Sequence, residues 1–223
     1  MCGRFTLTAS GEVVAEFFDL AGPPPGTPRY NIAPTQPAPV IRAEARDRLD
    51  WLHWGLIPSW AKDPQIGNRM INARAETVDA KPAFRGAFKH RRCLVVADGF
   101  YEWQKQPGQK RKQPYYVRMR DAAPFAFAGL WEHWEDDEGT AIESCVILTT
   151  EPNALMKTIH DRMPVILRPE DYAKWLDPAG KDTARTTSLL VPHSPEPMIA
   201  FPVGTLVNSP ANDVAACVEP VGE

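Results

Sequence analysis

Twenty-three prolines and fourteen glycines interrupt the 223 residues so often that no long helix fits between them. Each proline removes a backbone donor and restrains the residue before it, and the glycines show no collagen period. Short strands, many turns and short helices are expected. With 43% hydrophobic residues the chain can bury one core, so we expect a single domain over residues 1–223, with 205–223 as a tail. No apolar run approaches the roughly 18 residues of a membrane span. Met1-Cys2-Gly3-Arg4-Phe5 also lacks the charged-then-apolar start of a secretory signal. The expectation is a soluble intracellular protein.

Cys2, Cys93, Cys145 and Cys217 stand far apart, without the paired spacing of a zinc site or a small disulfide scaffold. No metal and no cofactor is expected. Cys93 and Cys145 each open an apolar run and read as buried thiols. Charge is unevenly spread: residues 1–120 hold 19 Lys and Arg against 11 Asp and Glu, a net +8, whereas residues 121–223 carry −11. This is either an uneven solvated surface or a basic half that attracts polyanions.

Ser10 is placed to cap a helix to Leu20, and the stretch from Gly22 to Pro39 reads as an extended loop. Strands are expected at 40–48, 49–57, 70–76, 93–97, 115–119, 125–131 and 145–149. Trp54 and Trp60 bound a tight loop and either fill a core or stack bases. Alternation over Met70–Glu76 sets Asn72 and Arg74 on one face. Pro82 suits the first turn of a short helix. Asp98-Gly99 marks a bend, and 104–113, with Pro107-Gly108 at its centre, reads as a basic hairpin tip. Thr150 is expected to cap a helix over 151–161, with His160 in its last turn, and 168–177 is expected as another short helix.

Cys2 bears the most chemistry. Its small side chain makes Met1 removable, and the exposed end is then a 1,2-aminothiol. The amine, with a pKa of about 8, is partly neutral and attacks aldehydes, and the thiol closes the resulting imine as a thiazolidine ring. The same end also opens amidotransferases in which the thiol attacks an amide. Glu102 lies among aromatic residues and is either structurally paired or raised in pKa. His160 either complements a helix dipole or moves protons.

Eight motifs occur in an order that resembles the SRAP family, the SOS-response-associated "peptidase" domains that crosslink to abasic sites in DNA. They are Cys2-Gly3-Arg4-Phe5, Tyr30-Asn31-Ile-Ala-Pro34, Trp54-Gly-Leu-Ile-Pro-Ser-Trp60, Ile71-Asn72-Ala-Arg74-Ala-Glu76-Thr77, Pro82-Ala-Phe84, Arg92-Cys93, Asp98-Gly-Phe-Tyr-Glu102-Trp103 and His160-Asp-Arg-Met-Pro164. They span residues 2–166. The resemblance implies an α+β domain with a curved, largely antiparallel, barrel-like sheet, short flanking helices and a positive groove leading to Cys2. It implies that Cys2 is the nucleophile, Asn72 an orienting hydrogen-bonder, and Glu102 and His160 proton carriers. DNA contacts are implied for Gly3, Arg4, Trp60, Arg74, Thr149 and Arg162. The expected function is covalent capture of abasic sites in single-stranded or junction DNA by a monomer, nucleoid-associated if bacterial and nuclear if eukaryotic. Lyase and autopeptidase activities accompany that expectation. The alternative is an N-terminal-nucleophile amide hydrolase or peptidase, including one that removes its own leader Met1.

Overall fold

The computed structural model describes residues 2–177 and 183–222. In chain order the strands are β1 (Phe5–Leu7), β2 (Arg29–Ile32), β3 (Pro37–Arg42), β4 (Ala45–Trp54), β5 (Asn72–Arg74), β6 (Arg92–Ala97), β7 (Gly99–Gln104), β8 (Gln113–Met119), β9 (Phe125–Glu135), β10 (Ala141–Thr150), β11 (Met163–Pro164), β12 (Ile166–Leu167) and β13 (Met198–Pro202). The helices are short: α1 (Gly11–Phe18), α2 (Arg85–His90), α3 (Tyr172–Trp175) and α4 (Thr183–Thr187). Within the described residues the chain forms one α+β domain.

Two sheets pack together. In one, β10, β4, β3, β6 and β9 pair in sequence and β9 pairs back onto β10, closing a five-stranded barrel. Closure joins the outer strands β9 and β10 to each other. The other sheet has the order β13-β8-β7-β1-β2. Most pairings are antiparallel, but β10 runs parallel to β4 at Cys145↔Trp54 and to β5 at Ile147↔Asn72. Apolar residues of both sheets share one core: Phe5 packs edge-on against Trp54 and Phe127, with ring centroids 5.1 and 5.9 Å apart.

The bend at Asp98-Gly99 ties the two sheets. The buried Asp98 carboxylate accepts from Thr6 Oγ1, Thr8 N, Thr8 Oγ1 and Ala9 N, fixing the end of β1. Gly99 is required by contact: a Cβ there would lie 2.2 Å from the Tyr116 hydroxyl.

Several elements differ from expectation. The proline-rich stretch contains β2 and the start of β3. Pro37 and Pro39 are tolerated because β3 is bordered there by β4 alone, and its pairing with β6 begins at Val40. No α-helix spans 151–161; a single 3-10 turn, Met156–Thr158, stands in its place. The side chain that meets the start of this turn is Asn153 rather than Thr150, its Oδ1 accepting from Met156 N at 2.9 Å, while Thr150 Oγ1 bonds Leu190 O. The helix at 168–177 is reduced to a 3-10 turn and α3. Residues 205–222 are not a loose tail: Val207 and Cys217 are fully buried, and Asn31 Nδ2 donates to the carbonyls of Val207, Ser209 and Asn212. Among the described residues, no helix is long and apolar enough to cross a membrane.

The acidic and basic halves also interleave. Arg29 pairs with Asp213, Arg42 with Glu143 at 2.7 Å, and Arg91 with Glu132 at 2.6 Å. Charge segregated in sequence is thus partly paired in space.

Candidate active site around Cys2

Cys2 enters the fold just ahead of β1. Register Phe5↔Phe100 and Thr6↔Gly99 continues outward through Tyr101 N–H, which donates to Arg4 O at 3.0 Å, and carries the first residues past Glu102 of β7. From the barrel side, β5 brings Asn72, whose Nδ2 donates to Cys2 O at 2.8 Å. His160 follows the 3-10 turn Met156–Thr158, and its Nε2 lies 3.9 Å from Glu102 Oε2. Cys2, Asn72, Glu102 and His160 therefore meet where the two sheets face each other. Met1, whose removal the sequence reading expects, lies outside the described residues.

Each group has a physical state set by its surroundings. Cys2 is fully buried, and its thiol donates weakly to Arg4 O at 3.9 Å. Burial pushes the thiol pKa well above its ordinary value, and the Glu102 carboxylate raises it further, so the sulfur keeps its proton. Glu102 is 2% exposed. Desolvation raises its pKa, while His160 acts in the opposite sense. His160 Nδ1 accepts from Arg162 N–H at 3.1 Å, which in the neutral ring leaves the proton on Nε2, facing Glu102. Asp161 Oδ1 also stands 2.9 Å from Nδ1 and favours the opposite tautomer. We assign the proton to Nε2, because the backbone contact is fixed and the Asp161 side chain is 89% exposed. Asn72 Oδ1 is buried and makes no hydrogen bond, so the site presents an acceptor with nothing to accept from.

The six residues singled out for DNA contact are not alike. Trp60 is 60% exposed, and Arg74 is exposed at the end of β5. Gly3 is half-buried beside Cys2. Thr149 is buried, its hydroxyl on Ala73 O at 3.4 Å. Arg162 holds Glu76 through two bonds of 2.6 and 2.9 Å and Thr149 O at 2.7 Å. Arg4 bonds Val207 O at 2.6 Å and Asn31 Oδ1 at 3.2 Å. Its guanidinium lies 5.9 Å from the centre of the Trp103 ring. Sequence reasoning missed this clamp and its second anchor, Asp213, which accepts from Arg29 Nε and from the amides of Tyr30 and Asn31. The one local signal was Asn31, a buried polar residue within a recognisable motif. Among the described residues no three His, Cys, Asp or Glu side chains come together as a metal site needs.

Residues 1–210 match the family model described as SOS response associated peptidase (SRAP). The chain belongs to this family. The SRAP match runs past residue 166, where readable motifs stop, and takes in the 207–209 segment that holds Arg4 and Asn31. Abasic site processing protein YoaM of Bacillus subtilis (strain 168) is 46% identical over 223 residues, covering 98% of each chain. Abasic site processing protein HMCES of Xenopus tropicalis is 33% identical, aligned over 86% of this chain and 65% of its own length. An X-ray structure of a protein from Bacteroides thetaiotaomicron superposes with a TM-score of 0.88 at 29% identity, covering 99% of this chain and all of that one.

Proposed function

We propose that this SRAP protein processes abasic sites by binding the lesion in single-stranded DNA and capturing its ring-opened sugar covalently through Cys2. The observation that carries the reading is the convergence of Asn72 and Glu102 on Cys2, with His160 beside Glu102, and relatives named abasic site processing proteins add to it. Loss of the base supplies the aldehyde, so an intact nucleotide offers no electrophile.

Removal of Met1 converts the Cys2 amide nitrogen into an amine. Its lone pair attacks the C1′ aldehyde, and the carbinolamine loses water to form an imine. Glu102, whose buried setting makes it hold a proton more tightly than an ordinary carboxylate, delivers the proton that lets hydroxide leave as water, and His160 relays protons to and from it. The thiol sulfur then bonds to the imine carbon, its proton passes to nitrogen, and the thiazolidine ring is complete with one water lost overall. The order follows from the chemistry: the ring closes on the imine carbon, which exists only after the amine has condensed.

Asn72 holds the Cys2 carbonyl and offers Oδ1 to a sugar hydroxyl. Arg74 and Trp60, both outward-facing, serve a phosphate and a base respectively. Gly3 and Arg4 follow Cys2 in the chain, Thr149 and Arg162 lie against β5 and the turn after it, and Arg4 and Arg162 reach phosphate by exchanging internal partners. All four reacting residues come from one chain, so a monomer suffices. The expected site of action is the compartment that holds the DNA.

The test compares an oligonucleotide carrying an abasic site with the same oligonucleotide after borohydride reduction of its aldehyde. A denaturation-resistant adduct is expected with the first and none with the second. Equal adduct with both would remove the aldehyde from the mechanism.

A further inference from the structure

β7 leaves the site at Glu102 and runs outward to a loop between Gln104 and Gln113, the last pair of the β7–β8 ladder. The loop turns at Pro107-Gly108, where Gly108 has φ +75°, a value glycine adopts without strain. Four cations, Lys105, Lys110, Arg111 and Lys112, lie in these residues without a single acid. All four side chains are exposed. None makes an ion pair or hydrogen bond, unlike Arg29, Arg42, Arg91, Arg162, Arg168 and Lys174, which are all held by carboxylates. At about 3.3 Å per strand residue the loop starts about 10 Å from Glu102 and extends beyond it. Its base is anchored to the site: Gln104 Nε2 donates to Thr158 O at 2.7 Å, in the turn that precedes His160 and that also exposes Lys157.

Unpaired cations repel one another and destabilise a surface that has no counter-charge of its own. A polyanion leaving the Cys2 site along β7 supplies that charge. We propose that the β7–β8 loop is a second binding surface for the same DNA, gripping phosphates of the strand that flanks the lesion, outside the reach of the catalytic residues. The proposal rests on the DNA reading above and extends it: the loop, not the reacting groups, sets how much flanking strand the protein engages.

The experiment uses the full chain and a variant with Lys110→Ala, Arg111→Ala and Lys112→Ala, whose exposed positions leave the core untouched. Binding is measured against salt on two abasic oligonucleotides, one of about 5 and one of about 16 nucleotides, bracketing common single-strand site sizes. Each lost phosphate contact flattens the log-log salt slope by about 0.7, so on the long strand the variant's slope should be shallower by about 2. On the short strand the two proteins should bind alike, and both should crosslink it at the same rate. Equal slopes on the long strand would overturn the loop proposal while leaving the lesion chemistry standing. An equal loss on both strands would overturn it as a flanking-strand grip. Failure of the unaltered protein to bind or crosslink either strand would overturn the underlying DNA reading, and the loop proposal with it.

Discussion

Cys2→Ser is expected to reduce the denaturation-resistant adduct with abasic DNA to background while leaving the fold intact. Serine differs from cysteine here by one atom in a fully buried position whose thiol makes only a long contact to Arg4 O. After Met1 removal the variant still has an amine, and its first step, imine formation, survives. What is lost is the sulfur that closes the ring, because a serine hydroxyl is the weaker nucleophile. The imine should therefore appear on a denaturing gel only when a reductant traps it. An unchanged, reductant-independent adduct from Cys2→Ser would show that the thiol does not close the product.

Glu102→Gln is expected to slow adduct formation by about 100- to 10,000-fold at saturating DNA, the usual contribution of a general acid or base. Glutamine keeps the shape and removes the proton that assists water loss. The same substitution should alter stability with a definite sign. Desolvation raises the Glu102 pKa in the folded protein. The folded state therefore binds the proton more tightly than the unfolded chain. Its contribution is fully present below the ordinary carboxylate range of about 4.3, and it is lost as pH rises through the folded pKa. Relative to the unaltered protein, Glu102→Gln should gain thermal stability between about pH 4 and neutrality. Slower chemistry in a protein of equal or greater stability separates a proton carrier from a structural residue. A variant that unfolds, or that reacts at full speed, would assign the carboxylate to the fold. His160→Gln should slow the reaction as well, since its Nε2 faces the same carboxylate.

Elements bounded by strong local signals were legible in the sequence. The apolar run from Cys93, the Asp98-Gly99 bend and the basic hairpin all fall within a residue or two of β6, the start of β7 and the β7–β8 loop. Two elements were misread because proline counts hide which side of a strand is free. Pro37 and Pro39 sit in β3 where no second neighbour needs their missing amides. Pro152 and Asn153 allow only one 3-10 turn before His160, since the Asn153 side chain captures Met156 N–H. Barrel closure by β9 on β10, and the grip of Asn31 and Arg4 on residues 207–212, join segments far apart in sequence, which no local pattern encodes. The reacting residues were legible for a different reason: a cysteine after the initiator methionine has chemistry that no interior cysteine shares. Their states were not, because the raised pKa values of Cys2 and Glu102 come from burial between two sheets.

The most direct measurement is the intact mass of the purified protein before and after incubation with an abasic oligonucleotide, recorded under denaturing conditions. The expected starting mass is that of the 223-residue chain without Met1. The expected product is that mass plus the oligonucleotide minus one water, formed in one-to-one proportion and absent when the aldehyde has been reduced. Protein that has verifiably lost Met1, yet keeps its original mass beside an oligonucleotide whose aldehyde is confirmed, would contradict covalent capture through Cys2.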